Sequence, residues 1–197
     1  MPYMEMEDLS MICRIEMPCP EGLAITEVMN ETYKMWGISK ETMFGAALKN
    51  LWEYKDYTLY TQTSIMEHLF AGQDKPQNLL DAPDGTSADP EEILYVLTNR
   101  ENIRGASAIL CPRVMNKISD LFPEGFYIIP SSIHETMIVS KGRGLEIKDL
   151  EKMTHDINLT RVADEEVLSD HIYEYDRNAG RVCQALKPVE KKRGMER

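Results

Sequence analysis

The sequence predicts an α+β fold, an antiparallel or mixed sheet with helices packed on it. Three observations carry the prediction. Apolar runs rich in β-branched and aromatic residues stand at ILYVLTN (93–99), FYIIP (126–130) and HETMIVS (134–140). Stretches with apolar residues at helical spacing cover about 39–51, 112–122 and 147–160. A chain of 197 residues, 43% hydrophobic and 28% charged, can bury a substantial core.

From the N-terminus, DLSMICRIEM (8–17) and GLAITEV (22–28) read as two antiparallel strands. The intervening Pro18-Cys19-Pro20-Glu21 excludes regular pairing and marks a turn. Asn30 is placed to cap a short helix over 31–36 that Gly37 ends, and Ser39 to cap a second with Met43, Phe44, Ala47, Leu48 and Leu51 on one face. This helix pair is expected on the sheet. A third amphipathic segment, about 64–71, has Ile65, Met66, Leu69 and Phe70 as its apolar side.

Composition then changes. GQDKPQNLLDAPDGTSADPEE (72–92) is rich in Pro, Gly and Asp with little to bury, which predicts a flexible loop. After the strand at 93–99, IRGASAIL (103–110) suits either its antiparallel neighbour or a helix start, and Pro112 fits the first turn of a helix over 112–122. FYIIP is a buried strand by its continuous apolar run, HETMIVS another, and Ile147, Leu150, Met153 and Ile157 mark a helix. DHIYEYD (170–176) alternates as a strand does, with RVCQAL as its partner across Asp176-Arg177-Asn178-Ala179-Gly180. The expected organisation is a strand pair plus helices over 1–71, the flexible loop 72–92, a C-terminal α+β portion over 93–186 sharing the core, and a basic disordered tail over 187–197.

Net charge is −11 and the pI about 4.9. Such a chain opposes direct binding to nucleic acid or an anionic membrane, whose phosphates are bound by neutralising them with Lys and Arg. A basic protein partner suits it better. No run approaches the length of a membrane span, and Met1-Pro2-Tyr3-Met4-Glu5 lacks the basic and apolar regions of a signal peptide, so a cytoplasmic location is expected. Cys13, Cys19, Cys111 and Cys183 show no paired spacing and read as free thiols.

Several blocks are distinctive together: YVLTNRENIRGASAILCP, FYIIPSSIHETMIVS and VLSDHIYEYDR, with MPYMEMEDLSMICRIEM and TYKMWGISKETMFGAALKN upstream. They resemble the blocks of a bacterial family known as domain of unknown function 5688, over most of residues 2–177. Relatives carry a further segment upstream and a longer acidic helical stretch in place of 72–92, so the chain is expected to be a short form or a fragment. The resemblance implies a bacterial, cytoplasmic protein, often near mobile elements, and brings no known activity.

The polar candidates are Ser131, Ser132, His134 and Glu135, where the run PSSIHE follows a buried strand, and Asp170 and His171 in LSDH. A hydroxyl, an imidazole and a carboxylate are what a nucleophile and its base require. Residues two or three apart on extended chain point in different directions, however, and no G-x-S-x-G elbow is present, so a turn or a ligand- or partner-binding site is the better reading. His134 and His171, with Asp156 or Glu135, would supply metal ligands if the two segments met, but no HExxH or paired Cys/His spacing supports a metal and no cofactor is expected. Lys141-Gly142-Arg143-Gly144 reads as a turn, His68 and His155 as boundary residues. The aromatic residues Trp36, Trp52, Tyr54, Tyr57 and Tyr60 read as core-packing or as an interface.

The function expected is therefore non-enzymatic: a protein-interaction or ligand-binding module with 131–135 and 169–171 as its polar site. One alternative is an acidic inhibitor occupying the basic groove of a bacterial defence nuclease, as anti-CRISPR proteins do. A second is a hydrolase using Ser131 or Ser132 with His134 or His171.

Overall fold

A computed structural model describes residues 1–54, 56–130, 132–142 and 144–186. The tail 187–197 and Ser131 lie outside the described residues.

The N-terminal quarter forms two hairpins where the sequence predicted one. Strands β1 (Tyr3–Met6) and β2 (Leu9–Ile12) pair around a turn in which Glu7 takes φ 56°, and β3 (Arg14–Cys19) pairs with β4 (Gly22–Glu27). Pro18 lies within β3, opposite Leu23, and not in the turn. A two-stranded ribbon has a free edge on each strand, and a residue that cannot donate is tolerated there. The helices follow as predicted, with one shift: α1 (Asn30–Met35) has Met29 at its N-cap, so Asn30 is the first helical residue, and Gly37 at φ 68° ends the turn. Helix α2 (Lys40–Tyr54) is capped by Ser39, whose Oγ accepts from the Thr42 amide at 3.1 Å. Ser39→Ala is expected to cost about 1 kcal/mol, read as a lowered urea midpoint; an unchanged midpoint would show that water replaces the cap without loss.

Met43 and Phe44 of α2 do not pack on the main sheet. They close a small second core with Cys13 and Val28, supported by Met4, Met11, Ile15, Tyr33, Ile38 and Ala47. One turn further on, Leu51 reaches the main core and Trp52 donates Nε1–H to the Leu110 carbonyl at 2.7 Å.

The main sheet is six-stranded and antiparallel throughout. It adds β5 (Tyr57–Thr61), β6 (Leu94–Asn99), β7 (Phe126–Ile129), β8 (Thr136–Ser140), β9 (Tyr173–Asp176) and β10 (Arg181–Gln184), in the order β10-β9-β7-β8-β6-β5. Helix α3 (Gln62–Ala71), capped by the Thr61 hydroxyl, follows β5; α4 (Pro112–Leu121) precedes β7; α5 (Ile147–Arg161) joins β8 to β9. The segment 103–110 is neither strand nor α-helix but contains the 3-10 helix Gly105–Leu110.

Strand alternation sorts side chains to two faces. Tyr57, Leu59, Tyr95, Leu97, Ile128, Ile138 and Tyr173 meet Val114, Met115, Ile118 and Leu121 of α4, while Ile129, Val139 and Ile172 meet Leu150 of α5. The sheet is thus covered on both sides, which explains the continuous apolar run of FYIIP. Ile172 and Tyr173 are both buried for the same reason.

The segment 72–92, expected as a flexible loop, holds the 3-10 turn Leu79–Asp81 in otherwise irregular backbone, and from Asn78 onward it is fastened. Asn78 Oδ1 accepts from the Leu59 amide at 2.9 Å and its Nδ2 donates to the Tyr57 carbonyl at 3.2 Å, so a side-chain amide occupies the open edge of β5. Lys117 Nζ reaches the Ala82 carbonyl at 2.6 Å, and the Ala88 amide donates to the Leu121 carbonyl at 2.9 Å. Among the described residues all four cysteines are free thiols, and no helix is long and apolar enough to cross a membrane.

Candidate functional site

Beyond β7, Pro130, Ser132 and Ile133 lie antiparallel to 166–169. Ser132 bridges Val167, the Ile133 amide donates to the Glu166 carbonyl at 2.9 Å, and the Ser169 amide to the Pro130 carbonyl at 3.3 Å. The two polar segments singled out in the sequence are therefore neighbours at one end of the sheet. Their side chains, however, turn to different partners.

The Ser132 Oγ accepts from the His134 backbone amide at 3.0 Å, a local turn bond. Nδ1 of His134 accepts from the Arg104 amide at 3.2 Å and Nε2 lies 3.1 Å from Glu166 Oε1. Since Nδ1 faces a donor and Nε2 an acceptor, the neutral ring carries its proton on Nε2. The His134 carbonyl in turn accepts from the Gly105 amide at 2.8 Å and from Thr98 Oγ1 at 2.9 Å. His134 is thus wired to β6, to the 3-10 segment and to the loop before β9, with Gly105 pressed against it.

Around the start of β9 a second cluster forms. Asp170 accepts from His155 Nδ1 at 2.7 Å and from Asn158 Nδ2 at 2.8 Å, and His171 Nδ1 lies 3.2 Å from Glu151 Oε1. Glu151, His155 and Asn158 sit one turn apart on α5, so helical spacing builds this cluster from one side and the 169–171 turn from the other. His134 and His171 are held by different carboxylates, and β7 separates β8 from the strand that follows His171. Among the described residues no three His, Cys, Asp or Glu side chains group to hold a metal ion.

A third cluster had no sequence signal. Asp8, at the tip of the β1–β2 hairpin, accepts from Ser169 Oγ at 2.8 Å, from Gln184 Nε2 at 2.9 Å and, through a short contact, from the buried Tyr173 hydroxyl. Ser169 Oγ also receives the His171 amide at 3.0 Å and the Tyr173 hydroxyl at 3.1 Å. The hairpin is tied to β9 and β10 by Tyr173 and Gln184, 165 and 176 positions away in the chain, distances that no local pattern reports.

The electrostatics follow from these contacts. Burial alone would push Asp8 up, but the hydrogen bonds from Tyr173, Ser169 and Gln184 outweigh it and leave the carboxyl below its usual 3.8. Asp170 is lowered too, chiefly by its bond from His155. Glu135 behaves oppositely. It is half-buried, makes no hydrogen bond or ion pair with a described residue, and burial pushes it above 4.5.

The signs set a pH dependence. A carboxyl lowered on folding contributes stability that is complete above its unfolded value and is lost as pH falls through its folded one. Stability is therefore expected to decline below about pH 4, with Asp8 and Asp170 the named contributors. Glu135 has the reverse sign: its cost is absent below about pH 4.5 and complete above its raised folded value. Glu135→Gln should thus raise the urea midpoint at pH 7 and leave it unchanged at pH 4; a lowered midpoint at pH 7 would contradict the burial argument.

A sequence model described as a family of unknown function, DUF5688, matches residues 1–177. No curated protein and no solved structure matches the chain.

Proposed function

Since the chain belongs to the DUF5688 family of unknown function, whose description assigns no activity, we propose from its physical chemistry alone that it is a protein-interaction module with a basic protein as partner. The observation that carries this reading is α3. That helix has no buried residue, and Met66, Leu69 and Phe70 stand on its surface, Phe70 78% exposed. A helix with one apolar side normally buries it, and large exposed apolar groups mark interaction sites. The net charge of −11 selects the partner's sign.

The polar end of the sheet supports a small-ligand or hydrolytic role less well. Ser132 Oγ is engaged by a backbone amide and not by an imidazole, and both His134 nitrogens have partners within the chain. A groove beside α4, lined by Phe122, Phe126, Lys141, Tyr175 and Arg177, has its cations committed to Glu174 and Asp120. A nuclease with a basic groove is one partner of the stated chemistry.

The test is affinity purification of the tagged full chain from a lysate of its source organism, with co-purifying protein and nucleic acid both scored. We expect one protein in stoichiometric amount, displaced by salt and lost with Leu69→Asp and Phe70→Asp together. Recovery of the chain alone, in several lysis conditions, would refute the reading.

A further inference from the structure

The two N-terminal hairpins present a second surface, and its composition is legible from register. Strands β2 and β3 stand on either side of Cys13, and Met11, Cys13 and Ile15 all pack in the small core. Alternation then turns Ile12, Arg14, Glu16 and Pro18 outward. Residues opposite one another in an antiparallel pair share a face, so Tyr3 joins Ile12, Glu27 joins Arg14, Ile25 joins Glu16 and Leu23 joins Pro18. The outcome is an apolar pair on each hairpin, Tyr3 (48% exposed) with Ile12 (42%) and Ile25 (41%) with Leu23 (55%), separated by Arg14 and Glu16, whose side chains are only 21% and 24% exposed.

The charges of this face are one-sided. Arg14 is spent on Glu16 at 2.8 Å, and Lys40 lies over the Tyr3 ring, 5.4 Å from its centroid. Glu5 and Glu27, on the same outer face, and Glu7 and Glu21, at the hairpin tips, make no ion pair with a described residue. Apolar pairs fringed by unneutralised carboxylates complement a segment in which Lys or Arg surround large apolar side chains. A second copy of this chain would bring the same carboxylates face to face, and anionic lipid or nucleic acid would meet them with like charge.

We infer that the outer face of the β1–β4 hairpins binds a basic amphipathic protein segment, anchored on Leu23, Ile25, Ile12 and Tyr3 and oriented by Glu5 and Glu27. The inference rests on the interaction-module reading and assigns that module a binding face separate from α3. Such recognition gives an affinity that falls with salt and is lost when either the anchors or the charges are changed.

The experiment is selection of a randomised peptide library displayed on phage against the full chain, followed by titration of synthetic versions of the enriched peptides. The expected result is enrichment of sequences mixing Lys or Arg with Leu, Ile, Phe or Trp, and an affinity loss of about tenfold or more for Leu23→Asp with Ile25→Asp. Glu5→Lys with Glu27→Lys, which reverses one exposed and one half-buried carboxylate and leaves the apolar anchors in place, should produce a similar loss and remove the salt dependence. Enrichment of neutral or acidic peptides, no enrichment, or titrations unmoved by both double variants would overturn the inference. So would a dimer in sedimentation that Leu23→Asp dissociates. A lysate partner lost with the α3 variants, together with failure of the peptide selection, would sink this face and leave the interaction reading standing, whereas absence of both lysate partner and peptides would sink the two together.

Discussion

Gly105→Ala is expected to lower the stability of the fold by about 3–5 kcal/mol, combining overpacking with the loss of two buried hydrogen bonds. A β-carbon built on Gly105 would stand 2.3 Å from Thr98 Oγ1, 2.5 Å from the Asn99 amide nitrogen and 2.7 Å from the His134 carbonyl oxygen. The threonine hydroxyl can rotate, but the other two are backbone atoms of β6 and of the turn before β8. To admit the methyl group the 3-10 helix must retreat, and the bonds from the Gly105 amide and Thr98 Oγ1 to the His134 carbonyl then lengthen or break. Backbone conformation is not the obstacle, since Gly105 is not among the glycines at positive φ. Urea unfolding of the variant reads the effect directly. A loss below about 1 kcal/mol would mean that the segment relaxes freely and the close approach is not structural.

Asp8→Ala is expected to cost about 2–4 kcal/mol, because charge-assisted hydrogen bonds are stronger than neutral ones and truncation leaves their buried donors without an acceptor. Three donors converge on this carboxylate, and the Tyr173 hydroxyl, on a fully buried side chain, loses its charged acceptor and keeps only the neutral side chains of Ser169 and Gln184 beside it. The variant should also lose part of the acid sensitivity of the wild type, since one of the two carboxyls lowered on folding is removed. A cycle with Tyr173→Phe isolates the pair: the two losses should fall well short of adding. Full additivity would show that Asp8 and Tyr173 act independently.

The legible parts of the fold were those in which a local pattern and the tertiary burial agree. Pro112 opening α4, the alternation after it, and the apolar strands β6, β7 and β8 all carry their packing in their own period. The sequence misled where tertiary contacts took over. Strand β5 hid in an aromatic cluster, because Tyr57 and Leu59 face the main core while Thr58, although buried, faces the other way. The run 8–17 looked like one strand because nothing local reports that Cys13 leaves one hairpin and begins another.

The polar residues show the same division. Ser132, His134, Glu135, Asp170 and His171 were legible as residue types, and the adjacency of their segments was a matter of topology that the sequence allowed. What decides their chemistry lies elsewhere in the chain: Glu166 and Arg104 for His134, His155 and Asn158 for Asp170, Glu151 for His171. Asp8, the first residue of the predicted strand 8–17, carries no local sign of its role because its partners are at the opposite end of the chain.

The Asn78 clamp has a bearing on assembly. A six-stranded sheet with bare margins is a template for polymerisation, since each added molecule would expose a fresh margin for the next. With the amide of Asn78 bonded to Leu59 and Tyr57, the β5 margin of the main sheet is already occupied at those residues. The clamp acts as a terminator on this side of the main sheet, opposing strand-by-strand growth through β5.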